Sequence, residues 1–412
     1  MRQSISRIAP IVMGLTIAAF DVVTLPAVAQ PATPGPDLLG VSQSATAPTN
    51  LGLGTPSAEA SRTTSGTSRA PIVNVTSCSE SDLQAAIGSV ATVGGTVNLR
   101  PGCTYTLTDT VPPNDDNGLP VIKNSVTING RGDIITRAAT AANFRFFEIN
   151  GPNGNLTLNT LTLSNGHAAT GLGNGRGGAI WLNGAGSALT LNNSSLTTNT
   201  ADTFGGAIEN DSGAVSVNRS TLHNNKATAG GAVFVNPFGG SGTATFDRSR
   251  ITGNHATILA GGIAAAFGTK VTLTSTRVTG NAVTGNNGQG GGIAQAGTMT
   301  LKRSEVIGNT TTGAKAQGGG IFNTSGTVQL TRSPVAGNTT NGTNSRGGGI
   351  FNAGSGSVAL TRSPVTNNQA LGTGVDGGGV FKASGTVTRD ASPIVRNRLN
   401  NCGSPSTVTG CS

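Results

Sequence analysis

The sequence predicts an all-β chain wound as a right-handed parallel β-helix of about 10–11 coils, with a short capping helix at its N-terminal end. Three observations predict it. A Gly-Gly-x-Ile unit or a close variant recurs at 177–180, 205–208, 230–233, 261–263, 290–293, 318–321, 347–350 and 377–380, its closing apolar residues 25 to 30 positions apart. A second unit keeps pace with it: an apolar residue, two polar ones, Ser or Thr, any residue, an apolar one, two more, then Asn. It stands at Phe246–Asn254, Leu273–Asn281, Leu301–Asn309, Leu330–Asn338 and Leu360–Asn368, and more loosely at Leu191–Asn199 and Val217–Asn225. Each period also holds three short apolar or alternating runs parted by Gly, Asn and Ser, and no helix-length periodic segment interrupts 175–398.

Runs this short cannot bury an apolar face alone, whereas stacked coils pair each strand with the ones above and below. The expectation is three strands per coil, with rows of inward Ile, Val, Leu and Phe, and Gly or Asn at corners that need left-handed backbone. The right hand follows from the preference of parallel crossovers. Three degenerate coils are expected in Gly95–Leu107, Val121–Gly130 and Phe144–Gly166. Ile293, Ile321 and Ile350 are expected to stack inward. The Asn closing each unit (Asn254, Asn281, Asn309, Asn338) is expected to form a ladder of side-chain amides at a turn.

Composition agrees with a solenoid. Of 412 residues, 10% are charged and 3% aromatic, against roughly 25% charged in an average soluble protein. The 63 glycines cluster in pairs and triples rather than at every third place, which excludes collagen, and heptads are absent, which excludes a coiled coil. The chain is divided into 1–29, 30–70, 71–400 and 401–412. Arg2 and Arg7 precede an apolar run from Ile8 to Phe20, and Ala27-Val28-Ala29 offers a small-x-small cleavage site, so 1–29 reads as a secretory signal peptide. Residues 30–70, rich in Ala, Thr, Ser and Pro, read as a disordered linker. No membrane span is expected, and the protein is expected outside the cell as a monomer.

The cap begins at Ser79-Glu80-Ser81-Asp82, acidic residues suited to a helix start, with Leu83 and Ala86–Ile87 on one face. Four cysteines in an exported chain suggest disulfides, and of the three connectivities sequence proximity favours Cys78 with Cys103 and Cys402 with Cys411. A metal site is not expected, because there is no CxxC and His167, His223 and His255 are far from every cysteine.

The opening Cys78-Ser79-Glu80-Ser81-Asp82-Leu83-Gln84-Ala85-Ala86-Ile87, followed by Gly95-Thr96-Val97-Asn98-Leu99-Arg100-Pro101-Gly102-Cys103, resembles secreted bacterial right-handed parallel β-helix repeat proteins of the pectate-lyase-like fold. The close Asn400-Asn401-Cys402 through Gly410-Cys411 is similar to the tail of actinobacterial members, and Gly-Gly-Ala-Ile at 177–180 and 205–208 is similar to the repeats of polymorphic outer-membrane proteins. That family's Phe-x-x-Asn partner motif is not regular here. The resemblance implies the fold over 72–412 and leaves activity open, since enzymes and binding proteins share it.

Candidate catalytic residues are few among 17 Asp and Glu. Asp115 and Asp116 form an adjacent pair in a Pro- and Asn-rich loop. Glu209 and Asp211 follow a Gly-Gly unit with Asp202 nearby, and His167 follows Asn165-Gly166. Hydrolysis on this fold resembles paired carboxylates, and lyase chemistry resembles calcium-binding acids with an arginine base. Neither set is assembled by spacing alone. Nucleic acid is not an expected partner, since one Trp and one Tyr supply no stacking platform. A flat threonine array is expected to be broken, because the place two before the repeat Ser or Thr reads Asn192, Asn218, Asp247, Thr274, Lys302, Thr331 and Thr361. The residue just before that Ser is Arg219, Arg248, Arg303, Arg332 and Arg362, with Ser275 breaking the row. These arginines are either a solvated stripe or a binding row for an acidic polysaccharide or cell-wall polymer. The expected function is a secreted or envelope binding protein without catalysis, glycan-binding or adhesin-like and needing no cofactor. The alternative is a polysaccharide lyase or glycoside hydrolase.

Overall fold

The computed structural model describes residues 70–112, 116–171, 174–238, 240–403 and 408–411. The expected signal peptide 1–29, most of the expected linker and Asp115 lie outside the described residues. Within Ala70–Ser412 the chain is a right-handed parallel β-solenoid of about ten turns. Among the described residues every strand pair is parallel, and apart from the consecutive Ile72–Asn74 and Gly95–Asn98, neighbouring strands are non-consecutive, as coil-on-coil stacking demands.

The expected three strands per coil are four in the full coils. One such coil runs Ile208–Asp211, Ala214–Asn218, Thr221–His223 and Lys226–Ala229. The four positions build sheets of 12, 11, 8 and 9 strands, here called first to fourth in the order that begins with Ala214–Asn218. The third sheet escaped the sequence because its strands are often only two or three residues long and polar, such as Thr200–Ala201 and Gln369–Leu371. They carry no alternation long enough to read, and form because the coils on either side hold them.

Among the described residues one large apolar core runs through the solenoid from Val75 to Val408, with Ala168, Ala201 and Ala227 forming a small separate cluster under the third sheet. Along the fourth sheet Ile263, Ile293, Ile321, Ile350 and Val380 pair in register and are fully buried, the inward row expected. The paired glycines serve two purposes. Gly205 has φ 64°, the left-handed region at the turn into the fourth sheet. Gly206 allows close approach of coils: a Cβ there would collide with the carbonyl oxygen of Gly231. In one coil the first place is taken by Ala260, at φ 52°.

Two polar ladders run through the buried corners. Asn199, Asn225, Asn254, Asn281, Asn309, Asn338 and Asn368 are all fully buried, and each amide donates to the Oδ1 of the next at 2.9–3.0 Å. The expected amide ladder is therefore present, and it ends on Asn397. Between the first and second sheets, the backbone N–H of Ser194 donates to the Oγ of Ser220, Ser220 to Ser249, Ser249 to Thr276, and so on to Ser392. Each ladder satisfies corner N–H groups that the β ladders leave open.

The helix α1 spans Glu80–Ala91; the Oγ of Ser79 caps it by accepting from the Asp82 N–H at 3.2 Å, and Leu83, Ile87 and Val90 bury its inner face. Cys78–Cys103 and Cys402–Cys411 are both formed, as expected, with Cα separations of 5.3 and 6.2 Å.

Asn309→Ala removes a side chain that receives two hydrogen bonds from Asn281 and donates to Asn338 and to the Val278 carbonyl. Orphaned buried groups cost about 1–3 kcal/mol each, so urea unfolding should show a loss above about 3 kcal/mol. Asn397→Ala, at the half-buried end of the ladder, should cost clearly less.

Candidate functional site

Two places gather the chemistry. The first is the corner between the first and second sheets. The residue that turns the chain there has left-handed backbone in coil after coil: Thr160 (φ 52°), Asn193 (49°), Arg219 (48°), Arg248 (48°), Ser275 (49°), Arg303 (50°), Arg332 (51°) and Arg362 (50°). Their backbone N–H groups form a regular ladder, Arg303 to the Thr331 carbonyl, Arg332 to Thr361, Arg362 to Asp390. Left-handed backbone costs a side-chain-bearing residue about 1–2 kcal/mol and favours Gly or Asn. Five coils nevertheless place arginine there, with the following Ser or Thr turned inward into its ladder.

All five arginines are exposed. Consecutive coils stand about 4.8 Å apart, so Arg303, Arg332 and Arg362 are close neighbours along the axis. Arg248 meets its own neighbour Asp247 at 3.6 Å, and in the adjoining column Arg277 pairs with Glu305 at 3.0 Å. Among the described residues Arg219, Arg303, Arg332 and Arg362 form no ion pair. Lys302 adds a further exposed cation beside Arg303.

Beside this corner lies the outer face of the first sheet. The column two places before the repeat Ser or Thr is mixed, and the one next to it carries hydroxyls for eight coils before Gln329 and Ala359 end it: Thr96, Thr127, Thr157, Thr190, Ser216, Thr245, Thr272 and Thr300 pair in register. Both columns therefore break, the second only after eight coils. The interrupted column begins instead as a surface amide ladder, Asn74, Asn98, Asn129, Asn159, Asn192 and Asn218, bonded at 2.8–3.0 Å.

The second place is the outer face of the fourth sheet. Here strands Phe147–Asn150, Ile180–Asn183 and Ile208–Asp211 align Glu148 with Trp181 and Glu209, and Asn150 with Asn183 and Asp211. Ile180 and Ile208 point into the core, so by strand alternation these polar residues point outward. Loops cover them. Arg145 is fully buried, bonded to Asp116 at 2.7 Å and to the Asn117 Oδ1 at 2.9 Å, with its guanidinium 5.1 Å from the Trp181 ring centre. The Oδ2 of Asp211 accepts from Arg176 at 2.8 Å and from the Trp181 indole at 2.9 Å. Glu148 accepts from Asn117 and Asn183 at 3.1 and 2.9 Å. Glu209 is fully buried, and among the described residues neither of its oxygens has a hydrogen-bond partner. Burial first, and then the nearby Asp211, push its carboxyl well above the usual range, opposed by Arg176.

Of the sequence candidates, Glu209 and Asp211 stand on one strand, and Asp116 is linked to Asp211 only through Arg145 and Trp181. His167 makes its contact elsewhere, with Asp202 at 3.0 Å on the third sheet. At Asp202 burial opposes ionisation, but the hydrogen bonds from His167 and the Thr170 N–H outweigh it and hold the carboxyl below its usual value. Sequence reasoning missed Arg145, Arg176, Trp181 and Glu148. Their signal was faint: Glu148, Trp181 and Glu209 share a repeat position, but the first lies in a degenerate coil. An open cleft of about 430 Å³, lined by residues including Pro112, Pro120, Lys123 and Asn150, contains none of the candidates.

The chain is a parallel β-helix protein. No protein-family model matches it, and no curated protein does. Among solved structures it is similar to the A-module of mannuronan C-5 epimerase AlgE4 from Azotobacter vinelandii, at 14% identity and TM-score 0.35, covering 80% of this chain and 96% of that one. The AlgE6 A-module gives 13% and 0.34, over 81% and 100%. PfbA, a surface adhesin of Streptococcus pneumoniae, gives 11% and 0.36, over 78% and 92%. Among the described residues no helix is long and apolar enough to cross a membrane.

Two outcomes are expected. Arg145→Ala strands Asp116 and removes the cation over Trp181, so chemical denaturation should show a loss of about 3–5 kcal/mol. Arg332→Gly relieves the left-handed backbone and should leave stability unchanged or raise it by up to about 1 kcal/mol, whereas Arg332→Val should lower it.

Proposed function

We propose that the protein acts outside the cell as a non-catalytic binding protein, and that it takes an anionic polymer, an acidic polysaccharide or acidic cell-wall polymer, along its arginine corner. One observation carries this reading: arginine occupies a turn position whose backbone favours Gly or Asn, and does so in five coils. A fold-keeping role is filled there by the backbone ladder and the inward Ser, and needs no guanidinium. A formal charge of +9 draws polyanions toward the whole surface, and the row would fix where they lie. Guanidiniums bond carboxylate and phosphate oxygens in pairs, and several weak contacts on one polymer add through effective concentration.

Binding is favoured over lyase or hydrolase chemistry by the state of the carboxylates. Glu209 and Asp211 lie behind loops with no more than 2% exposure, and Asp116 is engaged by Arg145. A sugar would meet the arginines without meeting those acids. Location outside the cell is supported by two disulfides and by the export signal read in residues 1–29.

The test measures binding of acidic and neutral polysaccharides to the parent and to the triple variant Arg303→Gln, Arg332→Gln, Arg362→Gln, at low and high salt. Exposed ion pairs contribute about 0.2–1 kcal/mol each, so the triple variant should bind acidic polymers on the order of tenfold more weakly. The difference should shrink at high salt and vanish for neutral polymers. Equal binding of acidic polymers by both proteins would refute the proposal.

A further inference from the structure

The cluster on the fourth sheet presents a count of donors that does not close. Four carboxyl groups are spread along it over successive coils, with Glu209 and Asp211 together on one strand. Asp116 receives Arg145, Glu148 receives two amides, and Asp211 receives Arg176 and the Trp181 indole. Glu209 receives nothing, and the Oδ1 of its neighbour Asp211 receives nothing either. Three buried carboxyl oxygens therefore lack a donor within one strand, Ile208–Asp211. An ionised carboxylate only accepts, so an ionised Glu209 in this place would be a buried charge without a single hydrogen bond. Asp211, held by a guanidinium and an indole, is the better anion of the two.

We infer that Glu209 and Asp211 form a proton-binding pair: Glu209 carries the proton and donates it to the Oδ1 of Asp211, which stays ionised against Arg176 and Trp181. One proton thereby supplies two of the three oxygens and leaves only the carbonyl oxygen of Glu209 open. The charged groups around the pair agree. Arg145 and Arg176 are the cations of the cluster; Arg145 faces Asp116, and Arg176 faces Asp211 and not Glu209. The next coil offers Phe234 beside Glu209 and Asn236 beside Asp211, neither of which brings charge. A metal ion would need a fuller set of ligands, and among the described residues no three His, Cys, Asp or Glu side chains are grouped to hold one. Burial and the adjacent anion both raise the pH at which Glu209 ionises.

This makes the covered face pH-sensitive. Removing the proton sets a second anion against Asp211, where it competes for Arg176 and disturbs the bond that the Trp181 indole donates to Asp211. Glu209 titrates higher in the folded chain than in the unfolded one, so its contribution is fully present below the unfolded value near 4.5 and is lost as pH rises through the folded value.

Trp181 is the single tryptophan of the chain, and it reports on the pair directly. Infrared spectroscopy of the parent at pH 7 should show the carbonyl band of a protonated carboxyl group, and the band should be absent in Glu209→Gln. Tryptophan emission of the parent should change as pH rises through the raised value of Glu209, while Glu209→Gln, which keeps a neutral donor beside Asp211, should stay flat through that step. A parent spectrum at pH 7 without a protonated carboxyl band would overturn the inference, whether or not the variant folds. So would a band that persists in Glu209→Gln. A third arm adds calcium or a chelator: a melting temperature that shifts in the parent and not in Glu209→Gln would place a cation, not a proton, between the two carboxyls.

Discussion

Every feature of this protein depends on one constraint, the parallel hydrogen-bond ladder that sets each coil about 4.8 Å above the last. A coil has no stability by itself, because its strands are two to five residues long and its core is one side chain deep. Stacked, it pairs nearly every backbone group and buries a continuous apolar row. The ladder also decides the corners. A β ladder satisfies strands, not turns, so the turns need their own partners, and the buried Ser and Asn columns supply them.

The same spacing turns single residues into arrays. Whatever stands at one outward position stands again a coil away, too near to be independent. For the inner Asn this is favourable, since an amide both donates and accepts along the axis. Threonine on the first sheet likewise forms a flat column. For arginine it is unfavourable, since like charges stack without neutralisation. Arginine in a left-handed corner, repeated, therefore opposes both backbone preference and electrostatics. Such local conflict is the usual mark of a residue held for contact with something else.

The fourth sheet shows what happens when the repeat is broken. Its outer column passes from Glu148, Trp181 and Glu209 through Phe234 and two alanines to a stack of Phe322, Phe351 and Phe381, with ring centres 5.4 Å apart. The same sheet position is closed in one half by charges and in the other by rings, with Arg346 lying over the last ring. Loops such as those carrying Arg145 and Arg176 differ in length from coil to coil, and the side chains they bring are matched to the column beneath.

The sequence by itself determined the solenoid, its corner glycines, the inward isoleucines, the amide ladder, the capping helix and the cysteine pairs. All of these are periodic or local: a repeat of 25 to 30 residues writes the coil features many times, and the helix and each cysteine pair lie within one short stretch. It also displayed the arginine row, because that row is periodic too. It did not show that the row occupies left-handed backbone, since the turn is set by the coil that follows. Nor did it reveal the third sheet, whose strands are too short to have a pattern. Only the tertiary structure decided which acids meet. Asp116, Arg145, Arg176 and Glu209 are separated by about 30 residues at each step and lie in coils of unequal length. Stacking cancels that separation only when the exact lengths of the loops are known, and loop length is not a property that any residue in the loop declares.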